Sequence, residues 1–250
     1  MTIDSHLHVP WQGKDFQAKR DSLFHEMDRN NTDKGIVIAD SEPQSVIGSV
    51  RDCAELFRGD SRIKVIAGIS PLISYEQQLG YCRELLVSRE IVGLKVYTGH
   101  EKFFCTDERL AHVYELAAEF RVPVLFHTGW DDPQYASPER MRELAVSRPE
   151  NIFVCCHCFY PDTERCFELL GDCGNVYFDT SSLADDEMLM PSIRSSLERA
   201  ISAMPRRIIY GSDFGSCSME AHIGFAHSLG ITDGQRELFM HGNSERIYGI

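Results

Sequence analysis

Two histidines, His6 and His8, stand one residue apart within a short apolar run at residues 3–9. Alternate side chains of a β-strand point to the same face, so both imidazoles are expected to share one face of this run. Neutral imidazoles bind borderline-soft divalent metals, and two of them at this spacing can chelate one ion. Such a pair also occurs on protein surfaces or hydrogen-bonded in a core, because a three-residue pattern has little specificity. The pair therefore predicts a metal site only if further ligands come from elsewhere in the chain.

Four further polar residues lie near the ends of other strand-like runs: Lys95, His127, His157 and Asp213. Alternation groups each with neighbours that we expect to face inward, while the remaining apolar residues of the run face helices. The inward sets are Gly93, Lys95 and Tyr97 (opposite Val92, Leu94 and Val96); Leu125 and His127; Phe153, Cys155 and His157; and Ile209, Gly211 and Asp213. Each polar residue alone has an ordinary explanation, since a lysine can extend to solvent and a histidine can be hydrogen-bonded in a core. Together they predict one polar site.

Eight strand-like runs, alternating with segments of helical periodicity, must position these residues. Short β-branched or aromatic runs lie at residues 3–9, 35–40, 63–70, 91–97, 122–128, 152–158, 176–182 and 208–213. Apolar residues at helical spacing occupy residues 15–30, 44–58, 107–120, 137–148, 162–171, 191–204 and 218–229, and a short helix follows at 244–248. The predicted N-caps of three of these helices are Thr106, Ser137 and Asn243.

This alternation predicts an α/β fold of the (β/α)8 TIM-barrel type. A doubly wound open sheet is the alternative, but neither a Gly-x-Gly-x-x-Gly motif nor a P-loop follows any run. No low-complexity linker or shift in composition divides the chain, so we predict a single domain over residues 1–250. The polar residues all lie at C-terminal ends of strands, which is the face on which barrels build their active sites.

Composition restricts the partners that this chain can have. A formal charge of −13 offers no basic field to nucleic-acid phosphates. No run approaches the ~18 apolar residues of a membrane span, and the first residues lack the pattern of a secretory signal. Nine cysteines, an odd number, fit free thiols in a reducing compartment better than a disulfide framework. We therefore predict a cytoplasmic protein that acts on a small molecule, without a nucleic-acid or membrane partner.

The polar residues resemble the ligand set of the metal-dependent amidohydrolase superfamily. That set comprises His-x-His on strand one, lysine on strand four, histidines on strands five and six, and aspartate on strand eight. The compact length and the final segment GNSERIYGI (242–250) resemble the amidohydrolase-related branch, which contains decarboxylases and hydratases and ends in Gly-Asn-Ala-x-Arg-Leu-Phe-x-Leu. The resemblance spans the chain and implies a metal site at the mouth of a barrel.

The resemblance implies that His6, His8, His127 and Asp213 hold a divalent metal, with zinc the expected ion. Coordination lowers the pKa of water to about 7. Asp213 would accept the proton of that water and later deliver it to the leaving group. His157 would either bind a second metal or donate to the carbonyl oxygen of the substrate.

Lys95 separates two subtypes of this site. Carboxylated by CO₂, its side chain would bridge two metals, and His157 would join the second. As an ammonium, it would repel a second cation and would be able to pair with a substrate carboxylate. The branch commonly uses one metal, so the resemblance favours a mononuclear site.

The resemblance leaves the reaction open. It favours hydrolysis of an amide, ester or lactone bond of a small molecule, with Asp213, His157 and Lys95 as the catalytic residues. The alternative is decarboxylation or another lyase reaction on a small aromatic or unsaturated acid. Lyases of the branch often carry an acid in the loop after the first strand and longer insertions, whereas this chain is short. A TatD-type deoxyribonuclease is disfavoured because Lys95 stands where that group has glutamate. A barrel without catalysis is disfavoured because none of the six ligand positions is lost.

The loops after the strands are expected to set specificity, at residues 98–106, 130–137, 159–163 and 183–190. Residues expected to border the pocket are Tyr97, His100, Trp130 and Asp131. Three more residues lie near strand ends without an assigned role: Asp40, Asp179 and Ser182. Barrels of this family often associate, so a homo-oligomer is a candidate assembly.

Overall fold

The computed structural model describes residues 1–130, 132–185 and 188–250. Eight parallel strands follow one another around one sheet in chain order. They are β1 (Ile3–Leu7), β2 (Lys34–Ile38), β3 (Ile63–Gly68), β4 (Ile91–Val96), β5 (Val124–His127), β6 (Phe153–Cys156), β7 (Val176–Asp179) and β8 (Ile208–Ile209). The segment after β8 returns to β1, because Ser5 N donates to Tyr210 O at 3.1 Å and His8 N donates to Phe214 O at 2.7 Å. The sheet is therefore a nearly closed barrel, and the predicted (β/α)8 fold is confirmed.

The helices alternate with these strands. They are α1 (Phe16–Arg29), α2 (Val50–Leu56), α3 (Tyr75–Val87), α4 (Ala111–Phe120), α5 (Pro138–Ser147), α6 (Thr163–Leu170), α7 (Met190–Ala203), α8 (Met219–Ser228), α9 (Asp233–Glu237) and α10 (Asn243–Tyr248). Short helical turns occupy Glu108–Leu110, Pro133–Ala136, His157–Phe159 and Leu238–Gly242. Each segment with predicted helical periodicity contains a helix, whereas α3 and α9 were not predicted. Within the described ranges, no helix combines the length and apolarity needed to cross a membrane.

Capping side chains set two of the helix starts. Ser137 caps α5 as predicted, and its Oγ accepts from Arg140 N at 3.4 Å. α2 begins at Val50, later than the predicted residue 44, because Ser49 and Asp52 form a capping box there. In that box Ser49 Oγ accepts from Asp52 N at 3.2 Å, and the Asp52 carboxylate accepts from Ser49 N at 3.0 Å.

The two other predicted caps are wrong. Thr106 is not a cap, because the helical turn before α4 starts from Asp107, whose carboxylate accepts from Arg109 N at 2.9 Å. Asn243 does not cap the last helix but is its first residue and is fully buried. Its amide donates to Pro205 O at 2.8 Å and to Ile208 O at 2.7 Å, so it joins α10 to the start of β8.

We expect Asn243→Ala to lower the free energy of unfolding by about 1–3 kcal/mol, because it leaves buried carbonyl groups without a donor. Urea unfolding followed by circular dichroism measures the change. Asn30→Ala is the matched control, since Asn30 directly follows α1 and its amide donates, among the described residues, only to Glu26 of that adjoining helix. Equal losses in the two variants would contradict a tethering role for Asn243.

Apolar residues fill both faces of the barrel sheet. The outer layer lies between strands and helices and includes Leu7, Val96, Phe126 and Phe178. The inner layer fills the barrel and consists of Ile36, Ile38, Ile66, Leu125, Val154, Cys156 and Ile209, joined by Ile247 and Tyr248 of α10. Polar side chains that point inward at the C-terminal ends of the strands therefore stand on an apolar floor.

Alternation from the sequence fails in two strands. Val92 packs against the inner layer and not with Leu94 and Val96, because β4 carries an extra residue where its register with β3 shifts. Phe153 and Cys155 of β6 belong to the outer layer, contrary to the predicted inward set. His157 must therefore reach the interior by some other means than strand alternation.

Candidate metal centre

Three buried side chains meet at the C-terminal end of β1 and in the loop after β8. His6 Nε2 lies 3.4 Å and His8 Nε2 lies 3.2 Å from Oδ1 of Asp213. One ligand atom from each of the three residues lies within 4.8 Å of the other two. Two imidazole nitrogens and a carboxylate oxygen at this separation form a donor set suited to a divalent transition metal.

The second nitrogen of each imidazole is held by a hydrogen-bond acceptor. His6 Nδ1 donates to Asp179 Oδ2 at 2.5 Å, and His8 Nδ1 donates to Ile38 O at 3.0 Å. Because carboxylate and carbonyl oxygens accept, the protons stand on Nδ1, and both Nε2 atoms keep a lone pair directed at the centre. Such acceptors behind the ligands fix the orientation of metal-binding histidines. Asp179, which sequence reasoning left without a role, is therefore part of the centre.

Two buried polar atoms at this place lack a hydrogen-bond partner in the described part of the chain: Asp213 Oδ1 and His127 Nε2. An unpaired buried polar atom costs about 1–3 kcal/mol and calls for an explanation such as an ion. The His127 ring lies 4.8 Å from that of His157, which in turn lies 5.2 Å from the ring of His6. The orphaned atoms and the donor chemistry fit a divalent cation. His6, His8 and Asp213 form the group whose ligand atoms lie within 4.8 Å of one another, and His127 lines the same cavity outside that group.

Burial sets the charge states of these ligands. It lowers the pKa of His6, and it lowers the pKa of His127 well below the usual value, with the neighbouring His157 adding to the effect. Burial would raise the pKa of Asp213, but the imidazoles of His6 and His8 outweigh it and hold that pKa well below the usual value. The imidazoles of His6 and His127 are therefore neutral and Asp213 is ionised at neutral pH, which are the states that bind a metal.

Asp213 reaches the centre through a turn beyond its strand. Its backbone has a left-handed φ of +64°, and its N–H donates to His6 O at 2.9 Å. Ser182, itself at a φ of +62°, donates from Oγ to Asp213 Oδ2 at 2.6 Å. This bond occupies Oδ2 and leaves Oδ1 for the centre.

His157 likewise lies just beyond β6, with a φ of +61°. This left-handed turn, and not the predicted alternation with Phe153 and Cys155, directs its ring inward. Nδ1 of His157 lies 3.2 Å from Ser181 O and 2.9 Å from Ser181 Oγ. Burial lowers the pKa of His157 to about 3, so its ring is neutral. A carbonyl at Nδ1 requires a proton there, which leaves a lone pair on Nε2.

Lys95 points inward as predicted and is 1% exposed. Its ammonium donates to Cys156 Sγ at 3.0 Å and lies 5.4 Å from the centre of the Tyr97 ring. Burial raises the pKa of the Cys156 thiol to about 12, so this sulfur stays protonated at neutral pH. Lys95 therefore stands beside the histidines, held by a thiol on the floor of the barrel.

A cavity of about 380 Å³ opens above the centre. Its walls include the six predicted site residues, together with Trp11, Asp40, Ser41, Glu42, Ile47, Tyr97, His100, Glu101 and Ser216. Tyr97 and His100 border it as predicted. Trp130 is not among the lining residues and stacks on Tyr160, with ring centres 4.1 Å apart. The prediction for Asp131 falls outside the described residues.

The prediction from the sequence also left out Asp4, which is fully buried beside the centre. Its Oδ1 accepts from His6 N at 3.1 Å and from Ser212 N at 3.0 Å, so it links the two segments that carry His6 and Asp213. Burial raises the pKa of Asp4 to about 7. Its place next to the His-x-His pair was visible in the sequence, but its partner Ser212 was not.

Comparison with protein families gives a match to the amidohydrolase model Amidohydro_2 over residues 3–250. The chain belongs to this amidohydrolase family. Members of the family depend on a metal, and the centre described above is a candidate site for one. The chain is an enzyme of the amidohydrolase superfamily, and its predicted amidohydrolase-related branch is confirmed.

Several solved structures share the fold at low sequence identity. A TIM-barrel protein from Bordetella bronchiseptica has a TM-score of 0.80 at 17% identity, covering 99% of this chain and 98% of that one. An amidohydrolase from Burkholderia multivorans with bound zinc has a TM-score of 0.74 at 17% identity, covering 100% and 99%. The 5-carboxyvanillate decarboxylase of Sphingomonas paucimobilis has a TM-score of 0.70 at 12% identity, covering 100% and 99%. A comparison with curated proteins finds no match. At these identities the structural likeness establishes the barrel fold alone.

Proposed function

We propose that this protein is a metal-dependent hydrolase that cleaves an amide, ester or lactone bond of a small molecule with activated water. The observation that carries the proposal is the buried group of His6, His8 and Asp213 at the base of a cavity that also contains the unpartnered Nε2 atom of His127. These four residues would hold one divalent ion, and zinc is the ion that a structurally similar amidohydrolase contains.

A bound divalent ion supplies Lewis acidity, lowering the pKa of water to about 7 and polarising a carbonyl oxygen. Asp213 is ionised at neutral pH and can accept a proton from water and return it to the leaving group. The Ser182 hydroxyl holds Asp213 in place during this transfer. His157 presents an Nε2 lone pair, which supports a role as a further ligand or proton acceptor more than as a donor to the substrate carbonyl.

The contact of Lys95 with Cys156 supports a mononuclear site. An ammonium in this position repels a second cation, and carboxylation would require the amine to leave the thiol. A substrate or its developing charge is then the remaining partner for Lys95.

We expect one equivalent of metal per chain, and we expect chelation to abolish turnover and lower the melting temperature, since binding only to the folded state stabilises it. Metal analysis, intact mass and thermal unfolding before and after treatment with a chelator measure these effects. Restoration by zinc is the control. Two equivalents per chain together with a mass increase of one CO₂ would contradict the mononuclear site.

Decarboxylation of a small aromatic or unsaturated acid is the second candidate. The similarity of the fold to 5-carboxyvanillate decarboxylase supports it, as does the buried Lys95, which can pair with a carboxylate. A screen of lactones, amides, esters and aromatic acids with the zinc-loaded and the chelator-treated protein separates the two reactions. We expect metal-dependent release of a new acid from an ester, amide or lactone. Metal-dependent release of CO₂ from an aromatic acid, with no hydrolysis, would overturn the proposal.

A further inference from the structure

One wall of the cavity carries three acidic side chains: Asp40, Glu42 and Glu101. Asp40 follows β2, where its N–H donates to Gly48 O at 3.0 Å. Glu101 follows β4 in a tight turn, where its N–H donates to Tyr97 O at 2.8 Å. These backbone bonds fix both acids at the mouth of the barrel, within the same cavity as the metal centre.

Little positive charge opposes this wall. Among the described residues that line the cavity, Lys95 is the one lysine or arginine, and its ammonium is already placed between Cys156 and the Tyr97 ring. Glu101 Oε2 is buried and has no hydrogen-bond partner among the described residues. Burial raises the pKa of Glu101 and repulsion from Asp40 and Glu42 adds to the rise, while hydrogen bonds with the side chains of Ser70 and Ser41 oppose it. Among the described lining residues, these acids therefore repel one another, and Lys95 is the one lysine or arginine that could offset them.

The wall is poorly suited to a metal ion. The two groups of described residues whose ligand atoms lie within 4.8 Å of one another both contain His6 and neither contains an acid of this wall. The carboxylate oxygens of Asp40 also accept hydrogen bonds from Ser45 Oγ, at 2.7 Å, and from Glu42 N, at 3.2 Å. Acids spread over a wall in this way match an organic cation, whose charge extends over several atoms.

The same cavity also contains the metal centre. His127 and Asp213 are each 8% exposed, line the cavity and carry the unpartnered atoms Nε2 and Oδ1. Trp11, 62% exposed, also lines the cavity, and an indole ring there can attract a cation. One molecule in this cavity would contact the metal centre at one end and the acidic wall at the other.

We propose that the substrate carries a cationic nitrogen group, an ammonium or guanidinium, which binds the wall of Asp40, Glu42 and Glu101 while its scissile bond lies at the metal centre. This inference rests on the proposed hydrolase function for the placement of the scissile bond. A substrate with a carboxylate, such as an aromatic acid, would meet three like charges on the same wall.

The test uses three unreactive ethers of one shape and different charge with the zinc-loaded protein. They are 4-methoxyphenyl-trimethylammonium, its neutral carbon analogue 4-tert-butylanisole, and the anion 4-methoxybenzoate. Calorimetry gives the dissociation constant of each. We expect the cation to bind about tenfold more tightly than its neutral analogue, and the anion to bind most weakly. Added salt should reduce the advantage of the cation.

Glu101→Gln and Glu42→Gln should each reduce the ratio of the dissociation constants, neutral ether to cationic ether, by at least half. Binding of the neutral ether should stay unchanged. Glu143→Gln, an exposed acid of α5 outside the cavity, is the matched control and should change neither constant. Equal binding of cation and neutral analogue, preferential binding of the anion, or an effect of Glu143→Gln equal to that of Glu101→Gln would each overturn the inference.

Turnover measurements distinguish a failure of the cation-binding inference from a failure of the proposed hydrolase function. The corresponding acetate esters, 4-acetoxyphenyl-trimethylammonium, 4-tert-butylphenyl acetate and 4-acetoxybenzoate, are offered to the same protein. Selective binding of the cationic ether without hydrolysis of any ester, amide or lactone would sink the hydrolase proposal and leave the cation site standing. Hydrolysis without preference for the cationic ester would sink the cation site alone.

Discussion

Asp213→Asn is expected to reduce turnover of a verified substrate by about 10³-fold or more while the barrel stays folded. Oδ1 of Asp213 lies 3.4 Å and 3.2 Å from Nε2 of His6 and His8, and Oδ2 accepts from Ser182. An amide keeps the shape of this side chain but is a weaker ligand and cannot accept a proton at neutral pH. The substitution therefore removes a metal ligand and the proton acceptor together.

The fold should tolerate this change because the amide has the same shape as the carboxylate. Burial also favours an uncharged amide over a carboxylate. Initial rates with saturating zinc measure the loss, and circular dichroism with thermal unfolding checks the fold. Asp172→Asn, which changes an exposed acid paired with Arg142, is the matched control and should retain full activity. His6→Ala should lose turnover as well. Full activity of Asp213→Asn would refute the proposed proton transfer.

Strand alternation predicts the site well where a residue lies within a strand. His6, Lys95 and His127 belong to β1, β4 and β5, and each points inward as alternation requires. His157 and Asp213 lie beyond the ends of β6 and β8, at a φ of +61° and +64°. Non-glycine residues seldom adopt this conformation, and their own sequence gives no sign of it. For His157 and Asp213 the sequence predicted a place in the site. It did not predict the left-handed backbone turns that bring the two side chains there.

Helix periodicity predicts existence better than boundaries. α2 and the start of α4 were misplaced because short polar caps, Ser49 with Asp52 and then Asp107, decide where each helix begins. α3 lies between β3 and β4 and was missed, although its buried residues Cys82, Leu85 and Leu86 stand at helical spacing. Side chains that act at long range were also not predictable. Asp179 meets His6 across 173 positions of the chain, which no local pattern indicates.

We expect Asp179→Asn to weaken metal binding about 10–100-fold, with a smaller effect on turnover at saturating metal. Asp179 Oδ2 accepts from His6 Nδ1 at 2.5 Å, and Oδ1 accepts from Ser181 N at 2.9 Å. Burial alone would raise the pKa of Asp179, but His6 outweighs it and keeps the pKa low, so an anion stands behind the imidazole. An amide gives up this charge and can turn its NH₂ towards Nδ1, which would force a proton onto Nε2. Competition with a chromophoric chelator measures the dissociation constant of the metal.

Asp179 also belongs to a second group of ligand atoms within 4.8 Å, with His6 and Cys156. Two observations disfavour metal binding there: Asp179 already engages His6 Nδ1, and the Cys156 thiol has a pKa raised to about 12. Cys156→Ser is the variant that separates the two groups, and it should leave the dissociation constant of the metal unchanged. Cobalt-loaded wild-type protein should likewise lack the near-ultraviolet charge-transfer band of a thiolate ligand. A thiolate band, or a loss in Cys156→Ser equal to that in Asp179→Asn, would move the metal to the second group. Excess zinc should restore turnover in Asp179→Asn, because Asp179 only orients the ligand His6. Excess zinc should not restore turnover in Asp213→Asn, because Asp213 is itself a ligand.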